Sequence, residues 1–154
     1  FDFSTEYTPA EDVSRLLSGT PPILSMATLE AALDIWSQVD LSTVRAKSEA
    51  MSELFIRVIE SQLASSSVQL ASPRDIAMRG SHVSFRHPEG WAVVQALVDR
   101  DVIGDFRAPD LMRFGFAPLY LTFTDVWRTV NTLMQVIKSR SWDQPRFHQR
   151  RAVT

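Results

Sequence analysis

A helix that is apolar on nearly every side has to be covered on nearly every side, and the segment after Thr20-Pro21-Pro22 reads as such a helix. Thr20 supplies an N-cap oxygen and proline suits the first helical position, so the pattern predicts a helix running to about Val39. Its residues Ile23, Leu24, Met26, Ala27, Leu29, Ala31, Ala32, Leu33, Ile35 and Trp36 cover most of the circumference. Only Glu30, Asp34 and Gln38 form a thin polar stripe. The expectation is burial between layers, because a free-standing domain would carry this helix as a large exposed apolar patch.

The lead-in points the same way. Phe1-Asp2-Phe3 opens without an initiator methionine in an aromatic, extended stretch, and an irregular segment with one helical turn near Glu11 follows. The expectation is a cut chain. Its 154 residues suit one compact domain, or a small domain with a linker that packs on something else. At 45% hydrophobic residues with four tryptophans, there is enough apolar surface to bury a core.

Charge and cysteine content exclude several classes. The net charge of −2 is spread along the chain, so no field attracts nucleic acid. The terminal basic cluster of Arg146, His148, Arg150 and Arg151 reads as a solvated end. With no cysteine there is no disulfide, thiolate metal site or thiol nucleophile, which fits a reducing compartment. The apolar runs are too short for a bilayer span and the start has no signal pattern, so a cytoplasmic protein without membrane contact is expected.

A second helix is expected from about Ser42, with Val44, Met51, Leu54, Phe55, Val58, Ile59 and Leu63 on one face and charge on the other. Ser65, Ser66 and Ser67 end it, and the composition then changes, which places a boundary near Ser67. Beyond it the pattern reads strand, helix, strand, strand, helix. His82–His87 alternates; Pro88 starts a helix with Trp91, Val94, Leu97 and Val98 inward. Strands follow at Val102–Phe106 and Leu111–Phe116 around an Ala108-Pro109-Asp110 turn. Thr124 caps a last helix with the stripe Val126, Trp127, Val130, Leu133, Met134 and Ile137. The fold class is α/β, of the α+β kind, with long linker helices followed by a small sheet carrying two helices on one face. The organisation is a lead-in over 1–22, interface helices over 23–66 and a C-terminal domain over 67–154.

Arg113 is the most informative position. Period two places Met112, Phe114 and Phe116 on the core face of their strand and Arg113 with Gly115 on the other, where the glycine leaves a gap beside the guanidinium. Such an arginine suits a carboxylate held by two parallel N–H bonds; equally, it suits a simple ion pair with Asp105 or Asp110. Gly19-Thr20-Pro21-Pro22 offers a hydroxyl and free amides at a helix start, which serves either a phosphate or ordinary capping. His82 and His87 fall on opposite faces of one strand and His148 lies in the tail, so no metal site is expected. Lys47 and Lys138 fall on exposed helix faces, where an amine keeps its charge, and neither reads as catalytic.

Taken together, Ser18-Gly19-Thr20-Pro21-Pro22-Ile23-Leu24 before an apolar helix and Arg113-Phe114-Gly115-Phe116-Ala117-Pro118-Leu119-Tyr120 before the last helix resemble the kynureninase family. The resemblance runs from Phe1 through the final helix. It implies a fold-type I pyridoxal 5'-phosphate enzyme, a homodimer that hydrolyses L-kynurenine to anthranilate and L-alanine in tryptophan degradation and NAD biosynthesis. It also implies that Arg113 matches the arginine gripping the substrate α-carboxylate and Thr20 the position offering a side chain to the cofactor phosphate across the dimer interface. No catalytic residue is then expected in this chain. The Schiff-base lysine belongs upstream of Phe1, in the large-domain segment that this chain needs as a partner, and the isolated chain is expected to be inactive.

Two other readings compete. A cysteine desulfurase-like enzyme of the same superfamily would also use a C-terminal arginine, but it needs a cysteine that this chain lacks. A free-standing module holding an amino acid at Arg113 would leave the helix from Ile23 uncovered.

Overall fold

The computed structural model describes residues 5–149. The chain divides into two compact units between Asp40 and Leu41.

In the first unit, Asp12 caps a short 3-10 turn at Val13–Leu16 by accepting the Ser14 N–H at 2.7 Å, which is the turn expected near Glu11. Helix α1 spans Ile23–Trp36. Its N-cap is Pro22, with no side-chain cap bond, so the Thr20 hydroxyl does not serve as the expected cap. The helix stops short of Val39 because Ser37 Oγ and Gln38 Nε2 both turn back onto the Asp34 carbonyl, at 2.8 and 3.0 Å. Within this chain none of its side chains is buried; Leu24 is 86% exposed.

The second unit begins with α2 (Leu41–Leu63) and continues through β1 (Gln69–Leu70), β2 (His82–Arg86), α3 (Gly90–Val98), β3 (Asp105–Arg107), β4 (Leu111–Gly115), α4 (Phe123–Lys138) and α5 (Pro145–His148). The sheet order is β1-β2-β4-β3, antiparallel throughout, with Ser84 and Asp105 standing on either side of Arg113. Period two puts Val83, Phe85, Met112 and Phe114 on one face, and all four are buried. Helices α2 and α3 lie against the sheet, and α4 packs on both of them. This is the expected sheet with helices on one face.

Helix α2 packs into the core of the second unit. Met51, Phe55, Ile56, Ile59 and Leu63 belong to the same core as the sheet, because Phe55 sits 5.9 Å from Phe85, 5.0 Å from Phe114 and 5.4 Å from Phe116, ring centre to ring centre. Burying rings of this size against one another contributes on the order of 2–3 kcal/mol each. The division between the two compact units accordingly falls just before α2.

The remaining differences are local. Thr122, not Thr124, caps α4: its Oγ1 accepts from the Asp125 N–H while the Asp125 carboxylate accepts from the Thr122 N–H, a reciprocal capping box. Val98 and Trp127 are half-exposed rather than inward. The terminal basic cluster is partly tied down. Arg146 pairs with Asp99 at 3.0 Å and lies over the Phe147 ring, which is buried; Arg150 and Arg151 lie outside the described residues.

Candidate functional site

The sheet face opposite the helices carries the polar residues that alternation predicts. Arg86 on β2, Arg113 on β4 and Arg107 on β3 share it with Asp105, because each has the opposite parity to a core residue of its strand. Asp110, in the β3–β4 turn, pairs with Arg86 at 2.8 Å.

Arg113 stands where the sequence places it, in the central part of this face and one-third exposed at 34% of its side chain. It is held by Asp105, its direct neighbour on the edge strand β3. Nε donates to Asp105 Oδ2 at 3.1 Å and Nη2 donates to the same oxygen. These charge-assisted bonds hold the Asp105 carboxyl below its usual range: the Arg113 hydrogen bonds dominate, partial burial opposes them, and the charges of Arg113 and Arg107 add to them. Of the two ion-pair partners open in the sequence, the structure selects Asp105.

Gly115 is two residues further on the same face, about 7 Å along the strand. A Cβ there would meet nothing within 4 Å, which is the expected gap. A cleft of about 800 Å³ opens from this end of β4, between Gly115, Phe116, Tyr120, Leu121 and the α4 residues Asp125 and Thr129. Arg113 itself does not line it. The turn after β4 is fixed from the other side, since Lys47 donates to the Pro118 carbonyl at 2.7 Å and Leu121 N–H bonds back to Ala117. Lys47 is thus part-buried and structural, where the sequence suggested a merely exposed amine. Lys138 is exposed in the last turn of α4.

Thr20 lies in the other unit, exposed, and its hydroxyl does not cap α1. Its hydroxyl and a phosphate are chemically compatible, as donor and acceptor. His87 is buried against Trp142 and accepts the Glu89 N–H on Nδ1 at 3.1 Å, while His82 is exposed. Among the described residues no group of three or more His, Asp or Glu side chains could hold a metal ion, and no helix is long and apolar enough to cross a membrane.

The model of the kynureninase C-terminal domain matches residues 44–133, from α2 through most of α4. That match covers more than half of the chain. The chain belongs to the kynureninase C-terminal domain family. A kynureninase of Pseudomonas fluorescens is 48% identical over 154 residues, all of this chain and 37% of that protein. Kynureninases of Burkholderia mallei (strain ATCC 23344) and Burkholderia pseudomallei (strain K96243) are each 43% identical over the same 154 residues and share. The chain therefore spans 37% of the length of these curated relatives. The kynureninase-type match takes in Arg113 and the whole Ala117-Pro118-Leu119-Tyr120 turn, and the two-residue strand β1 and the Lys47–Pro118 bond are among the features of this domain that sequence pattern alone did not disclose.

Proposed function

We propose that this chain is the C-terminal part of a kynureninase, a hydrolase that cleaves a carbon–carbon bond of L-kynurenine to give anthranilate and L-alanine with pyridoxal 5'-phosphate. The observation that carries the reading is the 48% identity across all 154 residues. An arginine on the open sheet face beside a gap supports it chemically.

In this reading Arg113 grips the substrate α-carboxylate. Two N–H groups in one plane fix both the position and the rotation of the carboxylate, which a single point charge does not. The gain is orientation: the amino acid is held in one pose relative to the reacting bond. Thr20 donates its hydroxyl to the cofactor phosphate, across the interface of a homodimer. When bound, pyridoxal phosphate supplies the electron sink for bond cleavage. The lysine that holds the cofactor belongs to an upstream large-domain segment, together with the acid–base groups, and the lead-in over 1–22 belongs to that large domain. The apolar surface of α1 supports this, since its exposed Leu24, Leu29 and Leu33 are the kind of surface another domain or subunit covers. The assembled enzyme is cytoplasmic.

The test is anthranilate release, followed by its fluorescence. The full-length protein is expected to convert L-kynurenine to anthranilate and L-alanine, and the 154-residue chain alone is expected to release none. Turnover by the isolated chain, or none by the full-length protein supplied with pyridoxal phosphate, overturns the reading.

A further inference from the structure

The Arg113–Asp105 pair uses only part of the guanidinium. An arginine has five N–H groups and two edges that each present a parallel pair: a side edge from Nε and one Nη, and an end edge from both Nη atoms. Asp105 takes the side edge with a single oxygen, Oδ2. Among the described residues Nη1 donates to nothing, so the end edge keeps its pair of N–H groups.

Charge along the same row favours a second anion. Arg107, two residues from Asp105 on the same face of β3, brings its Nη2 to 3.4 Å from Asp105 Oδ2. The row Arg113–Asp105–Arg107 therefore carries two positive charges and one negative. One further carboxylate balances it.

Position is also specified. Asp105 and Arg113 are register partners across β3 and β4, so the carboxylate reaches the guanidinium from the edge-strand side. On the other flank Ser84 is small and buried, with its backbone N–H bonded to Ser72 Oγ at 2.8 Å, and offers Arg113 no competing charge.

We propose that Asp105 is a positioning residue for Arg113: it locks the side edge of the guanidinium so that the end edge is presented to the substrate carboxylate, while Arg107 offsets the negative charge that Asp105 would otherwise turn toward that carboxylate. The inference rests on the reading in which Arg113 grips the α-carboxylate of kynurenine, and it adds the residues that aim the grip. Without Asp105 the arginine keeps its charge and loses its orientation. Without Arg107 the orientation stays and the attraction weakens, modestly because these side chains are half-exposed and screened by solvent and salt.

The experiment uses the full-length holoenzyme and measures kcat and KM for L-kynurenine, inhibition by L-alanine and thermal stability in Asp105→Ala, Asp105→Asn, Asp105→Glu, Arg107→Gln and Arg113→Ala. Asp105→Ala is expected to raise KM roughly tenfold and to weaken L-alanine binding in parallel, with kcat changed less than about threefold and the melting temperature nearly unchanged. Asp105→Asn, which keeps shape and one acceptor, is expected to fall between Ala and the parent, and Asp105→Glu to recover part of the loss. Arg107→Gln is expected to raise KM about twofold, and less in high salt. If Arg113→Ala raises KM and no Asp105 variant does, or if loss of Asp105 lowers KM, Asp105 is a bystander or a competitor and the proposal is wrong. If Arg113→Ala itself leaves KM unchanged, the carboxylate reading has failed at its root, which is a different outcome. Should Asp105→Ala fold poorly, the isosteric Asn variant carries the same comparison.

Discussion

The backbone of Gly90 runs against Asp110 so closely that a Cβ on the glycine would stand 3.0 Å from the Asp110 carbonyl oxygen. The same Cβ would lie 3.2 Å from Met112 Cγ and 3.2 Å from Phe106 Cε2. This contact seats the start of α3 on the β3–β4 turn, and β3 and β4 carry Asp105 and Arg113. The missing side chain is thus a packing requirement of the strand pair that holds the candidate site. Gly90→Ala is expected to destabilise the chain by about 1–3 kcal/mol, because a backbone oxygen cannot swing aside as a side chain can; the helix propensity of alanine offsets at most about 1 kcal/mol of it. Chemical denaturation of the two proteins checks this, and equal or greater stability of the alanine variant contradicts it.

Phe55 links α2 to both central strands through Phe85, Phe114 and Phe116, and it is fully buried. Phe55→Ala removes the ring and leaves a cavity, for an expected loss of about 3–5 kcal/mol by denaturant unfolding. Were α2 only a linker, the loss would stay below about 1 kcal/mol, as for an exposed position.

His87 makes stability depend on pH. Burial against Trp142 pushes its pKa below the ordinary 6.5, with nearby Glu89 opposing the shift in part. The folded chain therefore holds the neutral imidazole, and the unfolded chain takes up the proton more readily. Its contribution is complete above pH 6.5 and is lost as pH falls through that value toward the lower folded pKa. Melting temperature is expected to drop as pH falls below 6.5, and His87→Asn, which can keep an acceptor for the Glu89 N–H, is expected to remove that part of the drop. An identical pH profile in the variant would show that His87 contributes nothing to it.

Strong periodicity was the legible part of this sequence. The α4 stripe of Val126, Val130, Leu133 and Ile137, and the alternation of Met112, Arg113, Phe114 and Gly115, translate directly into burial because side-chain direction follows from helix and strand geometry. Local hydrogen-bond competition was harder to read. Thr122 outcompetes Thr124 as a cap only because Asp125 stands three residues after it and completes the reciprocal box. The two residues of β1 are too few to show any period. The packing of α2 was hidden for another reason: a serine run marks where a helix ends and says nothing about which core the helix has joined, and the place of Phe55 in the core is visible only in three dimensions.

At the candidate site, sequence placed Arg113 on the open face and left Asp105 and Asp110 as equal partners. The register across β3 and β4 decides for Asp105, and register depends on where the turn closes, which composition does not specify. For Thr20, the absence of a side-chain cap on α1 removes the capping explanation and leaves the phosphate role as a proposal.

The measurement that bears most directly on the whole account is steady-state turnover of L-kynurenine by the full-length protein with Arg113 replaced by Ala and by Lys. The expected result is a KM raised by about 10²-fold in the alanine variant with melting temperature little changed, and only partial recovery with lysine, whose point charge lacks the two-pronged geometry. A KM in Arg113→Ala within about twofold of the parent contradicts it, and leaves Arg113 as the partner of Asp105 and nothing more.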